Sequence, residues 1–285
     1  MNRILCVVAL LTLIPNAALS QDWKGREEVA GGVTHVHNPA TGMLPPQVLE
    51  LEELWRLGGE SDADEEFFGV ISDILVDGQN NVYLLDTQLS EVRVFDETGA
   101  YVKTLGREGE GPGEFRRPVS MAFFPDGGLG VIQAWPSKLV RFDASGNPGS
   151  DFGFQPEGAG FPGLVDACMA GDDLALVYSM NNPAEGKFIS TVSLGRVGLD
   201  AKLKSVVTEN TRAMDYANSL CIESEWNTFE RCWAASRDGR IYARANFTEY
   251  AVNAWLPDGT HRVIHREYPA HKRSGKDIQK IKAAV

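Results

Sequence analysis

The residues best suited to contact a ligand are charged and aromatic side chains in short connections between strand-like runs. Arg116 and Arg117 stand side by side in a chain of net charge −12, and neighbouring guanidinium groups can hold an anionic group through several N–H donors. The competing interpretation is an ordinary surface ion pair with Glu108 or Glu110. The complete set of candidate ligand-binding residues is Asp86, Gln88, Arg107, Arg116, Arg117, Trp135, Asn182 and Tyr250.

No catalytic centre is indicated by sequence motifs. The patterns of phosphate-binding loops, dinucleotide-binding turns, nucleophile elbows and zinc-protease helices are absent. His35 and His37 alternate, so both rings can point to one side of a strand, and His261 and His265 lie near a strand end. The spacing supplies no third or fourth metal ligand. We therefore interpret the histidines as surface or edge residues, and we predict no catalytic residue and no metal site.

Three cysteines lie beyond the N-terminal apolar run. Cys221 and Cys232 flank residues 222–231, a spacing that two paired strands or a closed loop could bridge. A disulfide between them and a pair of free thiols both remain open. Cys168 has no evident partner and is interpreted as a buried free thiol.

The first twenty residues predict a secretory signal peptide. Arg3 supplies a positive start, residues 4–14 are almost wholly apolar, and Ala18 and Ser20 place small residues before a cut at Gln21. The apolar run is too short for a helix that spans a bilayer. We expect an exported protein, periplasmic or extracellular, that is not inserted in the membrane once the leader is removed.

Strand signals dominate the remainder of the chain. Residues 71–76, 81–85, 91–95 and 101–105 are short alternating or apolar runs. Asp-Gly turns follow the first and third runs. Long amphipathic helices are absent until the last stretch, so the sequence predicts an all-β protein.

This set of four runs recurs along the chain. The segment from Val92 to Asp96 is matched by the segment from Leu139 to Asp143, a shift of 47 positions, and a turn like that at Asp77-Gly78 returns at Asp238-Gly239. Four such four-stranded antiparallel units are legible between residues 69 and 268. A small sheet cannot bury both faces alone, so neighbouring copies must cover them. We therefore predict a β-propeller over residues 21–268 rather than a β-sandwich, which would not explain the recurrence.

The segment 106–118, Gly-Arg-Glu-Gly-Glu-Gly-Pro-Gly-Glu-Phe-Arg-Arg-Pro, resembles the connection between blades of NHL-type propellers. With the repeats around it, the chain from residue 33 to 269 resembles bacterial exported 6-bladed β-propeller proteins. The glycines admit positive φ where the chain passes to the next blade, and Phe115 can fill the space between blades. The resemblance implies a six-bladed fold and leaves the activity open, because one fold hosts many functions.

The blade count departs from that family pattern. Six blades of about 45 residues need about 270 residues, and only four units are legible. Residues 45–57 are predicted to form an extra strand of the kind that closes a ring by pairing with the last blade. The count favours a fragment of a longer protein over an open or smaller assembly. The basic tail, residues 269–285, is a short helix or a frayed end, and the frayed end is favoured.

Connections after the second and fourth strands of each blade share one end of the sheets, called here the loop face. We predict a non-catalytic recognition or scaffold module that binds a protein, peptide or glycan through this face and needs no cofactor. The acidic charge disfavours nucleic acid. The alternative is a Ca²⁺-dependent hydrolase or lyase, similar to lactonase and strictosidine-synthase propellers, with Asp73, Asp166 and Asn246 facing a metal in the central channel.

Overall fold

The computed structural model describes residues 23–58, 67–184, 187–214, 229–246, 248–268 and 273–284. Within these ranges the protein is all-β, as predicted, with four sheets and one C-terminal α-helix. The predicted signal peptide lies outside the described residues. No helix in the described ranges has the length and apolar character needed to cross a membrane.

The four sheets follow one another along the chain and are called blades 1 to 4. In chain order the strands are β1 (Arg26–Ala30), β2 (Val33–Asn38), β3 (Ile71–Val76), β4 (Val82–Asp86), β5 (Glu91–Phe95), β6 (Tyr101–Leu105), β7 (Pro118–Phe123), β8 (Leu129–Gln133), β9 (Lys138–Phe142), β10 (Phe161–Ala170), β11 (Asp173–Ala184), β12 (Lys187–Val197), β13 (Leu203–Met214), β14 (Trp233–Ala235), β15 (Ile241–Arg244), β16 (Ala251–Trp255) and β17 (His261–Arg266). Blade 1 is β3–β6, blade 2 is β7–β9, blade 3 is β10–β13, and blade 4 is β14–β17 with β2 and β1 added at its outer edge. Within each blade, consecutive strands pair antiparallel.

The predicted Asp-containing turns are confirmed, and their geometry explains why aspartate recurs there. One carboxylate oxygen of Asp77 accepts the backbone N–H groups of Gln79 and Asn81, at 2.8 and 2.9 Å. In blade 4, Asp258 accepts the N–H of Thr260 at 2.9 Å. Each aspartate thus closes its own turn, which fixes the pairing of the flanking strands.

Apolar clusters fill the space between consecutive blades. In β8, Val131 packs towards blade 1 and its neighbour Ile132 towards blade 3. In β11, Leu176 packs towards blade 2 and Val177 towards blade 4. All four side chains are buried, and burial of one such side chain contributes about 1.5–3 kcal/mol. Blades therefore cover one another's faces, as the repeats predict.

The segment between blades 1 and 2 is built around Phe115. This ring is buried in the cluster that joins the two blades and meets Phe142 edge-on, with ring centroids 6.5 Å apart. Gly106 has φ +75°, and a Cβ there would lie 2.3 Å from the Phe115 ring. Glycine is required at this point by both the backbone angle and the ring, so the predicted role of Phe115 is confirmed.

Blade 2 differs from the predicted four-stranded unit. After β9 the chain turns and forms an isolated bridge between Phe142 and Pro148, and the N–H of Gly149 donates to the carbonyl of Arg141 at 2.8 Å. Pro148 has no N–H to give to a regular ladder. Irregular chain therefore takes the place of the fourth strand, and the prediction of four strands is wrong for this unit.

The predicted extra strand at residues 45–57 is also wrong. The segment contains no strand, and the side chains of Val48, Leu49 and Leu51 are exposed. Pro45 and Pro46 remove two N–H donors at its start. Its apolar residues reflect local composition and not a place in a sheet.

The strand that joins the last blade is β2. It runs parallel to β17, with Val36 opposite Ile264, and β1 folds back on it through the turn at Gly31 and Gly32, which both have positive φ. The alternation Val-Thr-His-Val-His in β2 suits a pleated strand. Blade 4 therefore carries two extra strands supplied by the N-terminal part of the chain.

The C-terminal tail contains helix α1 (Gly275–Ala284). Ser274 and Asp277 cap its start reciprocally: the N–H of Asp277 donates to Ser274 Oγ at 3.3 Å, and the N–H of Ser274 donates to Asp277 Oδ2 at 2.9 Å. Of the two alternatives for the tail, the short helix is present, and the favoured frayed end is wrong over these residues.

Candidate functional site

A buried glutamine joins two loops of the predicted loop face. Gln133, at the end of β8, is only 2% exposed. Its Oε1 accepts the backbone N–H of Arg116 at 2.6 Å, and its Nε2 donates to the carbonyl of Pro136 at 2.8 Å. The connection between blades 1 and 2 is thereby fixed next to the Trp135 loop. Sequence reasoning did not single out Gln133.

Trp135 gives this face an apolar surface. Its side chain is 60% exposed and meets the 48% exposed ring of Phe161 edge-on, with centroids 5.8 Å apart. Ser137 in the same loop donates a hydrogen bond to the carbonyl of Pro162 at 3.1 Å. The loop is therefore held against blade 3, and the two aromatic rings lie together at the surface.

Arg117, which follows Arg116 in the chain, has an uncommon backbone conformation. Its φ is +44°, a left-handed angle that arginine rarely adopts. Its backbone N–H donates to Ser90 Oγ at 3.2 Å, which connects it to the loop after β4. The Arg117 side chain is exposed and has no ion-pair partner among the described residues. Strained residues of this kind cluster at binding sites.

The other two predicted arginines are engaged in surface ion pairs. Arg116 lies 2.9 Å from a carboxylate oxygen of Glu110, one of the two partners named in the competing interpretation. Arg107 donates from Nε to Glu114 at 2.6 Å. The Arg116–Glu110 pair is exposed on both sides and contributes about 0–1 kcal/mol. Glu114 is partly buried and also accepts the N–H of Gly111 at 2.8 Å.

Asp86 has a structural place in the loop face. Its carboxylate is buried and accepts four backbone N–H groups, from Gly69, Val70, Gln88 and Leu89. Burial alone would raise the pKa of this carboxyl, but the four donors together hold the pKa below its usual value. Asp86 thus shapes the loop, whereas Gln88 is exposed and free to face a ligand.

The last two predicted residues lie further along the chain. Asn182 is half-buried beside Gly160, in blade 3. Tyr250 is exposed, stacks on Tyr268 with centroids 5.6 Å apart, and borders a separate cleft on blade 4. Through Gln133, the described contacts join the backbone of Arg116 to the loop that carries Trp135, and they join Arg117 to Ser90. They do not connect Tyr250 to these loops.

The cysteine prediction is only partly within the described residues. Cys232 is exposed and Cys168 is partly buried. Burial raises the pKa of the Cys168 thiol. Cys221 lies outside the described residues, so the disulfide with Cys232 stays a prediction.

A polar chain links the innermost strands of all four blades. Ser120 Oγ donates to Asp166 Oδ1 at 2.5 Å and lies 3.3 Å from Asp73 Oδ2, which also accepts the N–H of Met121 at 2.7 Å. Trp233 donates from its indole N–H to Asp166 Oδ2 at 2.9 Å. Burial raises the pKa of Asp166, and these donors only partly offset that effect.

Two of the three residues named for a central Ca²⁺ therefore converge on one serine. The third, Asn246, is exposed and accepts the N–H groups of Thr248 and Glu249 at 2.9 and 2.8 Å, which closes its own turn. No group of three or more His, Cys, Asp or Glu side chains within the described ranges has a metal-binding arrangement.

Bulges at matching positions place the central side chains. The pairing register shifts just before Asp73 in β3, just before Ser120 in β7 and just before Asp166 in β10. A bulge redirects the following side chain relative to a regular strand. In the sequence, these three residues share only their place in the first strand of each unit, which is a weak signal for a common site.

The histidines form a cluster that their spacing only half predicted. His35 and His37 do point to one side, and His265 of β17 joins them: His35 Nδ1 lies 3.0 Å from His265 Nε2, and the His37 and His265 rings stack with centroids 4.7 Å apart. Glu28 contacts His37 Nε2 at 3.1 Å. The third ring could not be foreseen because β2 and β17 pair only in the folded chain.

The fold and these contacts define a β-propeller-type blade-repeat protein. Residues 62–196 match a family model described as "6-bladed beta-propeller". The match confirms the predicted resemblance to 6-bladed β-propeller proteins over that segment. The likeness to NHL repeats stays a prediction.

Solved structures similar to the chain include a Bacteroides fragilis protein classed as exported, at 13% identity and TM-score 0.48, over 74% of this chain and 56% of that one. A member of the duf4221 family from Bacteroides vulgatus has 13% identity and TM-score 0.47, over 77% and 66%. Virginiamycin B lyase from Staphylococcus aureus has 11% identity and TM-score 0.39, over 70% and 55%. The chain spans little more than half of the first of these structures. Among curated proteins, none matches the sequence.

Proposed function

We propose that this chain is an exported, non-catalytic recognition or scaffold module that binds a protein, peptide or glycan through its loop face. The observation that carries the proposal is the support beneath Arg117 and Trp135. Buried Gln133 ties the backbone at Arg116 to the loop that carries Trp135, and buried Ser90 ties the backbone of Arg117 to the loop after β4. The Arg117 guanidinium and the Trp135 indole remain exposed. Pre-set exposed side chains on a rigid support are typical of binding surfaces.

The chemistry of this surface favours a ligand with a flat apolar or sugar face beside an anionic group. Trp135 and Phe161 offer ring surfaces, and Arg117 offers a planar cation. Trp, Tyr and Arg are the side chains that dominate binding energy at protein interfaces. The acidic chain as a whole repels polyanions, so a local anionic group is a better fit than a nucleic acid.

Printed glycan and peptide arrays, probed with the purified protein, test the proposal. We expect a selective binder whose signal falls about tenfold or more in Trp135→Ala and in Arg117→Ala, as for central interface residues. Tyr101→Ala and Arg240→Ala are matched controls, because both residues are exposed and neither belongs to the loop face. Equal losses in the controls, or no selective binding on either array, would contradict the proposal.

Gln133 gives a second test because it is buried and lies outside the surface that is proposed to contact the ligand. Gln133→Leu removes both hydrogen bonds that join the loops while keeping a buried side chain of similar size. We expect weaker binding with the tryptophan and arginine both present, together with a change in Trp135 fluorescence. Unchanged binding in a folded Gln133→Leu protein would show that the two loops do not act together.

Metal analysis of the same protein distinguishes the binding module from the competing Ca²⁺-dependent hydrolase or lyase. The binding module is expected to keep its array selectivity in the presence of a chelator. Stoichiometric Ca²⁺ that is lost with chelator, along with a hydrolytic or lyase activity, would replace the proposal with the enzyme.

A further inference from the structure

The second strand of blade 3 is longer than the packing between blades requires. β11 has 12 residues, whereas β4 and β8, the second strands of blades 1 and 2, have five each. The buried apolar residues of β11 end at Tyr178, and of the next four residues Ser179, Asn181 and Asn182 are polar. Ordering this extension costs conformational entropy while burying little apolar surface. Packing therefore does not explain why β11 continues into the loop face.

The extension lies beside the exposed ring pair of Trp135 and Phe161. Phe161 is opposite Asn181 where β10 pairs with β11. Asn181 Nδ2 donates to the carbonyl of Phe161 at 3.1 Å and to Ser179 Oγ at 3.0 Å. Both amide hydrogens of Asn181 are thereby used, which fixes the amide and leaves its Oδ1 as an acceptor.

Asn182 brings a second amide to the same place. A Cβ at Gly160, the residue before Phe161, would lie 2.5 Å from Asn182 Oδ1, and Gly160 has φ +124°. Glycine at this position therefore makes room for the amide. Asn182 is half-buried, and its side chain has no hydrogen-bond partner among the described residues. A partly buried amide without a partner costs free energy, which a ligand group can recover by hydrogen bonding.

The chain around the ring pair is uncharged. Residues 134–137, 160–163 and 179–184 contain no ionisable side chain. A sugar ring matches aromatic rings bordered by neutral amides, because one of its faces presents C–H groups and its rim presents hydroxyl groups that donate and accept. An extended peptide gains affinity by pairing with a free strand edge, whereas β11 is already paired with β10 and β12.

We propose that the loop-face ligand is a glycan, one sugar ring of which stacks on Trp135 while its hydroxyl groups bond to the amides of Asn181 and Asn182. This inference rests on the recognition function proposed above and narrows its three ligand classes to one. It assigns the extension of blade 3 to the binding of hydroxyl groups.

Printed glycan and peptide arrays, followed by titration calorimetry with the free oligosaccharide that gives the strongest signal, test the assignment. We expect selective, saturable binding to glycans. Trp135→Ala is expected to weaken the oligosaccharide about tenfold or more, and Trp135→Phe, which keeps an aromatic face, is expected to retain most of the affinity. Asn182→Ala is expected to weaken it about five- to tenfold, since one hydrogen bond is lost.

Matched control variants lie at the opposite end of the blades. Asn147 is exposed in the turn after the third strand of blade 2, and Tyr101 is exposed at the start of the fourth strand of blade 1. Asn147→Ala and Tyr101→Ala are expected to bind the oligosaccharide as the parent does. Thermal unfolding of every variant shows that the fold is retained.

The outcomes separate this inference from the function on which it rests. Selective binding to peptides alone, weakened in Trp135→Ala, would support the recognition function and overturn the glycan assignment. Glycan binding that Trp135→Ala or Asn182→Ala leaves unchanged, or that the controls weaken equally, would also overturn it. The absence of selective binding on both arrays would overturn the inference and the function together.

Discussion

Blade 2 and blade 4 are made of similar strands but meet different surroundings. Val131 and Ile132 of blade 2 are neighbours that point to opposite faces, and both are buried by adjoining blades. In blade 4, Ile241 is buried against blade 3, whereas Val252 on the opposite face remains open in the cleft. Among the described residues, the same alternation therefore gives two buried faces in blade 2 and a single buried face in blade 4.

The difference shows where stability and recognition reside. A face that a neighbouring blade covers contributes to the free energy of unfolding, and a face or loop left open is available to a ligand. In the loop face, Asp86 and Gln133 are buried and support the loops, whereas Arg117 and Trp135 are exposed.

The largest expected effect lies inside the blade 2 core. Ile132→Ala should lower the free energy of unfolding by about 2–5 kcal/mol, because it leaves a cavity between blades 2 and 3. Val252→Ala in the open face should cost less than about 1 kcal/mol. Urea unfolding measures both. Similar losses would show that something covers the outer face of blade 4, and the comparison would fail.

The next effect concerns Asp86. Asp86→Ala leaves four backbone N–H groups without their acceptor and should cost about 2–3 kcal/mol, and the loss for Asp258→Ala in an exposed turn should be smaller. Because the folded pKa of Asp86 is lowered, its contribution is present above about pH 3.8 and is lost as the pH falls further. Urea unfolding between pH 6 and 3 should therefore show a steeper loss for the parent than for Asp86→Ala.

A smaller effect is expected where β2 meets β17. Burial lowers the pKa of His265, and the neighbouring charges of His37 and His35 lower it further. A lowered histidine pKa means that the unfolded chain takes up protons first, so the contribution is complete above pH 6.5 and is lost as the pH falls below it. The expected fall is less than about 1 kcal/mol because the ring is partly exposed.

Urea unfolding at pH 7.5 and pH 5.5 measures this histidine effect, and His265→Asn should show a shallower dependence than the parent. His261, whose pKa is lowered by burial and by His35, should keep part of the slope in that variant. A higher free energy of unfolding at pH 5.5 than at pH 7.5 would contradict a lowered pKa of His265 in the stacked arrangement.

The smallest effect is expected at Arg116. Arg116→Ala removes an exposed ion pair with Glu110 and leaves the backbone N–H bond to Gln133 intact. The free energy of unfolding should change by less than about 0.5 kcal/mol. A larger loss in thermal or urea unfolding would mean that the side chain, and not the backbone contact, anchors this loop.

Local chemistry explains which features the sequence could predict. Asp77 closes a turn with groups two and four residues away, so its role is visible in a short window. Phe115 and its surrounding glycines form a dense motif, and the repeats predict the blades around it. The short apolar stretch at 45–57 gave a wrong prediction of a strand, because a local pattern carries no information about a pairing partner.

Contacts between distant segments explain the remainder. Gln133 links Arg116 to Pro136 through a side chain that has no distinctive neighbours in sequence. The bulges before Asp73 and Ser120 are backbone events that residue types do not announce. The sequence predicts that Trp135 lies in a loop, but it does not predict the hydrogen bonds of Gln133 that hold this loop in place.

The parallel pairing of β2 with β17 has a consequence for biosynthesis. His35 and His265 are 230 residues apart, so the β1–β2 hairpin cannot pair with β17 until the chain between them has been translated. Closing so wide a separation is entropically slow, and a strand edge is left unprotected during translation. The β2 strand is thus made long before its partner β17, and its open edge must avoid wrong pairing in the meantime.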